Sequence, residues 1–443
     1  MKQLFFIIAF LPSIMLGQRT IKGTFTPPED YKAAILYKVT PTVSKYVSSC
    51  ELKKDGTFKF QIDSTATKGM YRIVYGLPQE DYNFDIIYNG KEDIELIFNS
   101  ETGVEFMKST ENKLLATYTS SMAKVSQAIG NFYAKKSKDT LALSKIFDTQ
   151  RKAQSEFETL AKNTIALNFI KANKPYMPKA YEDLNTYLKN LEKHYFDFID
   201  FNNKTLQSSS FLEQRMLNFI FGRETGAESD LLNYKKNIDL FMLKAKNAPT
   251  DIKKSLLSTL WQQMVDLGAD SVANYISEAY LMDLAVELND QNLLRALILF
   301  KDTSIGSEAP DFSYIVAQGD TKSTMRLSEL NTSEYYLLVF WSTTCSHCLD
   351  DIPQLHTWAK AFDRSKIKIL AIALEENPEG WRAMKKDFTR FVNIYGKGKW
   401  DNEIAEAYGV NATPTYFILD KTKTIVSKPE DVETLMAFFA TDN

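Results

Sequence analysis

Cysteine is scarce in this sequence: three residues in 443. That excludes a disulfide framework, so the domains must hold by ordinary apolar cores. Charge of one sign is also lacking. With 53 basic against 56 acidic residues, no basic stripe argues for nucleic acid and no like-charge run argues for a solvating tail. Beyond the first residues, no stretch reaches the roughly 18 unbroken apolar positions that a membrane-spanning helix needs. What remains is a chain with 44% apolar residues, long enough for several cores.

The opening MKQLFFIIAFLPSIMLGQ carries one lysine, an apolar run, then small and polar residues near Gly17. This is the layout of a secretory signal peptide, expected over residues 1–17. No cysteine sits at the cleavage region, which counts against a lipid anchor. The mature protein is therefore expected to be soluble, with no transmembrane segment, in the periplasm or secreted.

Residues 18–105 read as a small antiparallel β-sandwich or barrel of about seven strands. ILYKV (35–39), FKFQI (58–62), YRIVY (71–75), FDIIY (84–88) and IELIF (94–98) are rich in β-branched and aromatic residues. Asp55-Gly56 and Asn89-Gly90 between neighbouring runs are hairpin signals. Cys50, alternating with Ser48 and Leu52, reads as a buried small hydrophobe on one strand face, or else as a resolving or intermolecular thiol.

From 106 to 300 the period becomes helical. Leu212, Met216, Phe219 and Ile220 recur at that spacing, as do Leu257, Leu260, Trp261 and Met264, which predicts an all-α domain of six to eight helices. His194, among lysines and glutamates, reads as part of a solvated helix face. KDTSIGSEAPDF (301–312) looks like a linker into a third domain, 301–443, where strands alternate with helices around a central sheet.

FWSTTCSHCLDDIP (340–353) holds the other two cysteines. A buried strand ends at Trp341, and Ser342, Thr343 and Thr344 offer helix-capping hydroxyls. Cys345 then falls at a helix N-terminus, where unpaired amides and the dipole stabilise a thiolate. Cys348, one turn further in, is close enough to close a small disulfide and is more shielded. The first thiolate can attack a substrate disulfide and the second can resolve the mixed disulfide. His347 is either a cationic neighbour that lowers the Cys345 pKa or the cap of a surface turn. Zinc fails on spacing, since one CxxC has only His356 nearby. Haem attachment fails because Leu349 follows the second cysteine. A peroxidatic cysteine fails because Leu338 and Ser342 occupy the proline and threonine positions of that frame.

Several separated motifs carry a resemblance. GSEAPDF (306–312), FWSTTCSHC (340–348), Pro353 and YGVNATPTYFILD (408–420) together resemble a thioredoxin-fold domain of the TlpA/ResA-like thiol–disulfide oxidoreductases, with an AhpC/TSA-like core. The long spacing from Cys348 to Pro414 suits the extra strand-and-helix insert of that branch. The resemblance implies a cis peptide before Pro414, with the Thr413 backbone receiving the substrate chain and Trp341 packing under the site. Plain thioredoxins carry a buried aspartate where this chain has Val339, so Asp351 is the expected proton relay, the other reading being a solvated carboxylate beside Asp350. Thr344 stands where many relatives have tryptophan. The order of the three parts resembles multidomain exported proteins of Bacteroidetes-type bacteria.

The expected architecture is multidomain: an N-terminal antiparallel β-sandwich, a central all-α domain and a C-terminal α/β thioredoxin fold. The expected function is thiol–disulfide exchange with exported proteins, more as a reductase than an oxidant, with a membrane thiol donor or oxidase as redox partner. No organic cofactor, metal or nucleic acid is implied. The alternative is a partner- or ligand-binding protein whose thioredoxin-like domain only docks.

Overall fold

A computed structural model describes residues 19–40, 44–79, 81–222, 229–318 and 321–440. The expected signal peptide lies outside the described residues. The chain divides into two compact units, residues 1–260 and 261–443.

The first unit opens with eight strands: β1 (Arg19–Thr26), β2 (Ala33–Lys38), β3 (Lys45–Glu51), β4 (Thr57–Ile62), β5 (Gly69–Val74), β6 (Asn83–Tyr88), β7 (Ile94–Asn99) and β8 (Gly103–Lys108). They form two sheets, ordered β4-β1-β7-β8 and β3-β2-β5-β6, whose inner faces share one core. Phe25 stands at its centre, with ring centroids of Phe58, Phe98 and Tyr75 at 4.8, 5.3 and 6.1 Å.

Two details differ from the sequence expectation. The β1–β7 pair is parallel, because the whole run β2–β6 separates those strands and acts as the crossover that parallel pairing needs. Asp55-Gly56 and Asn89-Gly90 do not close hairpins either: each joins strands of different sheets. Both glycines have positive φ, +77° and +70°. A tight reversal needs that conformation, but burial decides whether the next strand pairs or crosses. Cys50 on β3 is half-buried against the sandwich core.

Eight helices follow: α1 (Thr110–Ala134), α2 (Thr140–Leu160), α3 (Ala166–Ala172), α4 (Leu184–Lys193), α5 (Lys204–Gln207), α6 (Phe211–Phe221), α7 (Ser229–Lys244) and α8 (Thr250–Asp266). Two buried side chains of α1 fasten this layer. The Asn112 amide makes a reciprocal pair with the Ile87 backbone, both bonds 2.8 Å. The Glu111 carboxylate accepts from the Ile165 and Ala166 amides at 2.7 and 3.3 Å, covering the unpaired donors at the start of α3. His194 is not simply solvated: its ring stacks on Tyr176 at 4.9 Å and Nδ1 lies 2.5 Å from Asp197. No helix among the described residues is long and apolar enough to cross a membrane.

The second unit begins with α9 (Asp270–Ile276), α10 (Met282–Glu287) and α11 (Gln291–Asp302), then the hairpin β9 (Ser313–Gln318) and β10 (Thr321–Arg326). After it come β11 (Tyr335–Trp341), α12 (Ser346–Ala359), β12 (Ile367–Glu375), α13 (Glu379–Met384), β13 (Val392–Lys397), α14 (Glu403–Ala407), β14 (Thr415–Leu419), β15 (Ile425–Ser427) and α15 (Val432–Ala440). Five strands form one sheet ordered β13-β12-β11-β14-β15. β11 runs parallel to β12 and antiparallel to β14, the strand arrangement of a thioredoxin fold.

Central strand β11 is buried on both faces, as a near-continuous apolar run requires. Leu337, Val339 and Trp341 join one core with α12 and α15. Tyr336, Leu338 and Phe340 join the other, with Phe312, Tyr408 and Phe417.

Four of the five tryptophans, Trp341, Trp358, Trp381 and Trp400, lie well inside this unit, and Trp261 stands at its boundary on α8, so tryptophan emission reports mainly its unfolding. Leu338→Ala opens a cavity at a fully buried position and is expected to cost about 2–5 kcal/mol. Urea titration followed by tryptophan emission measures it; a loss below about 1 kcal/mol would contradict this packing.

Candidate active site

The site forms where β11 ends and α12 begins. Cys345 itself is the N-cap residue of α12: its backbone is extended (φ −96°, ψ 119°), and its Sγ accepts from the Cys348 amide at 3.3 Å. The expectation that a serine or threonine hydroxyl caps this helix is corrected here. Ser342 and Thr344 instead bond each other at 2.9 Å, and the Ser342 hydroxyl donates to Glu375 at 3.2 Å.

Glu375 closes the apolar strand β12 and is buried. Its carboxylate also accepts from the Thr343 amide at 2.5 Å, so one buried acid holds the loop that delivers Cys345.

The Thr413–Pro414 peptide is cis, and the Thr413 carbonyl accepts from the Cys345 thiol at 3.1 Å. Cys345, Cys348, Thr413 and Pro414 are thus brought together although the cysteines and the proline are far apart in sequence. Both active-site cysteines are reduced, Cys345 partly exposed and Cys348 buried.

Their thiols are driven apart. Burial pushes Cys345 up, but hydrogen bonds from the Cys348 thiol and amide outweigh it, with smaller help from the Thr413 hydroxyl and His347 amide. The net result lies below the ordinary thiol value. Burial pushes Cys348 up to about 12, reinforced by its hydrogen bond to the Cys345 sulfur. A nucleophile poised to ionise beside a neutral partner is the arrangement a dithiol exchange centre needs.

The remaining expected residues fall as follows. His347 is exposed on the first turn of α12, and what reaches the Cys345 sulfur from it is its backbone amide. Trp341 is fully buried in the core that includes Cys348, with Phe388 edge-on at 5.8 Å, so it lies under the site and not on its surface. Asp351 is half-buried, and its Oδ2 accepts from the Tyr416 hydroxyl at 3.1 Å. Tyr416 is buried, and burial together with the Asp351 and Cys348 charges holds its hydroxyl far above the ordinary tyrosine value. His356 packs against Phe388 and Phe391 in the interior.

Sequence reasoning missed Glu375 and Tyr416, and each left a signal. Tyr416 is two positions after Pro414, on the same strand face by the period of 2. Glu375 ends an otherwise apolar parallel strand at its carboxyl end, where sites of open α/β sheets gather.

Parts of this chain are similar to known proteins. Residues 305–428 match the AhpC/TSA family. The thiol-disulfide oxidoreductase ResA of Bacillus anthracis is 29% identical over 132 residues, 28% of this chain and 68% of the relative. ResA of Bacillus thuringiensis subsp. konkukian is 25% identical over 131 residues, 29% of this chain and 72% of the relative. Among solved structures, a thioredoxin-like protein from Bacteroides caccae aligns with a TM-score of 0.33 at 20% identity, over 61% of this chain and 98% of that one.

The C-terminal domain is a TlpA/ResA-like thioredoxin-fold domain. In a ResA-like domain with this thiol asymmetry, reduced protein at pH 7 should take iodoacetamide at Cys345 first. The Cys345 rate should level off below the ordinary thiol pKa of about 8.5, while Cys348 should go on gaining reactivity toward pH 12. Cys50, raised by its own burial, should also lag. Peptide mapping of the adducts measures all three, and equal labelling would contradict the asymmetry.

Proposed function

We propose that this chain is an exported thiol–disulfide oxidoreductase acting on protein substrates outside the cytoplasm. The observation that carries the reading is the pairing of a low-pKa, partly exposed Cys345 with a buried, neutral Cys348 beside cis-Pro414.

In the reductive direction the Cys345 thiolate attacks one sulfur of a substrate disulfide. A mixed disulfide forms and one substrate thiolate leaves. Cys348, after losing its proton, attacks the Cys345 sulfur, the second substrate thiolate leaves, and Cys345–Cys348 closes as a disulfide. Two electrons pass to the substrate, and a membrane thiol donor returns them. Run backwards with an oxidase, the same steps donate a disulfide.

The Thr413 carbonyl, held by the Cys345 thiol in the resting site, becomes free on ionisation to pair with a substrate backbone. Asp351 is the proton acceptor for Cys348, reached with the help of the Tyr416 hydroxyl it already holds. His347, exposed beside the nucleophile, supports the Cys345 thiolate through its backbone amide. The signal-like leader supports export, and the resemblance to the TlpA/ResA-like thiol–disulfide oxidoreductases supports net reduction.

Insulin reduction by wild type and Cys345→Ser tests the reading. Activity should vanish in the variant; equal activity would leave the domain a docking module. Equilibration in glutathione buffers should then give a potential at or below about −250 mV for a reductase, whereas about −120 to −180 mV would assign an oxidant or isomerase.

Asp351→Asn should slow resolution of the mixed disulfide by about 100-fold or more, the usual scale for loss of a general base. Alkylation of Cys345 should stay unchanged. Acid-quenched trapping of the mixed disulfide measures it, and an unaltered lifetime would remove Asp351 from the relay.

A further inference from the structure

Of the sheet edges open among the described residues of the second unit, two line one groove. β13 pairs only with β12, and β9 pairs only with β10. Between them runs a groove of about 1250 Å³ with Tyr314 and Ile315 of β9 on one side and Asn393 and Tyr395 of β13 on the other. An open edge presents unpaired backbone donors and acceptors to any extended chain that reaches it.

The groove is strongly cationic although the whole chain carries a net charge of −3. Arg364, Lys368, Lys385, Lys386 and Lys397 line it against only Asp401 and Glu403. None of the five cations forms an ion pair among the described residues. Arg364 donates to the Thr389 carbonyl, Lys368 to the Thr332 hydroxyl, and Lys385 lies 4.2 Å over the Trp381 ring. Burial and the Arg364 charge hold the Lys368 ammonium below its ordinary value, so these cations crowd one another and lack an anion.

Ile315 of β9 is 64% exposed on this groove, an apolar anchor at strand spacing.

We propose that this groove takes an acidic, extended segment of a partner protein as an added strand on the open edge of β13. Strand addition supplies affinity through main-chain hydrogen bonds and specificity through alternate side chains. The six residues of β13 set the length: about six residues at roughly 3.3 Å each. Acidic side chains on the segment meet the five cations, and an apolar one meets Ile315.

The test uses full-length protein and a fluorescein-labelled octapeptide alternating glutamate with valine, read by anisotropy. Three comparisons accompany it: the same peptide N-methylated at alternate positions, a lysine–valine peptide of equal length, and the variant Lys386→Glu/Lys397→Glu. Both substituted residues are exposed, so the variant should keep its circular dichroism spectrum and insulin activity. Saturable binding of the acidic peptide is expected, weakened about tenfold or more by the variant and by added salt, and lost on N-methylation. No saturation, equal binding of the lysine peptide, or equal binding of the N-methylated peptide would each overturn the proposal. The last would mean an anion-attracting surface without strand pairing. The thiol chemistry is not needed for any arm, so failure here leaves the redox reading standing.

Discussion

One sulfur atom does two jobs in this domain, and the site depends on the overlap. Cys345 Sγ is the N-cap of α12, taking the Cys348 amide, and it is also the atom that would attack a substrate. A serine or threonine oxygen would cap the helix as well, but it could not exchange disulfides. A thiolate is a better acceptor than a thiol, and a sulfur in a disulfide is a poorer one. The first turn of α12 is therefore best satisfied when Cys345 is reduced and ionised. Helix stability and redox state are coupled through one contact, in the direction that lowers the thiol pKa and favours the reduced form.

The second cysteine owes its character to the sheet. Strand β11 alternates its side chains between two cores, and Val339 and Trp341 share the one that contains Cys348. With valine where plain thioredoxins have a carboxylate, the surroundings of Cys348 are apolar, and burial is the largest cause of its raised pKa. The loop between strand and helix cannot drift, because Glu375, at the end of neighbouring β12, holds Ser342 and Thr343. Placement of the nucleophile is thus set by the register of two parallel strands, which is rigid where both faces are buried.

Much of this was legible in the sequence because it rests on local signals. The apolar run into Trp341 with a CxxC behind it announces a strand, a turn and a helix start. Cis-Pro414 came from the motif around it, and burial of Cys348 from its place one turn into the helix. What escaped was long-range. Asp55-Gly56 and Asn89-Gly90 announce reversals truly, but which sheet receives the next strand depends on how Phe25 and its aromatic neighbours pack. The parallel β1–β7 pair spans the whole second sheet, beyond any local pattern. The cap was misassigned because three hydroxyls precede Cys345 and the sulfur was not counted as a competitor. Glu375 acts across strands, so only the pairing of β11 with β12 brings it to the loop.

The same asymmetry that selects the nucleophile creates a difficulty that the geometry also orders in time. Burial and the neighbouring sulfur hold the Cys348 thiol well above its ordinary value, so it stays protonated at neutral pH while the site is at rest. Two of the causes that raise it are its hydrogen bond to the Cys345 sulfur and that sulfur's charge. Once Cys345 is bonded to a substrate sulfur, the charge is gone and the acceptor is weak, and both of those causes lapse. Burial remains, and it can be overcome only by a base within reach through few groups. Tyr416, already hydrogen-bonded to Asp351 and feeling the Cys348 charge, occupies that place. The first chemical step would therefore lower the barrier to the second.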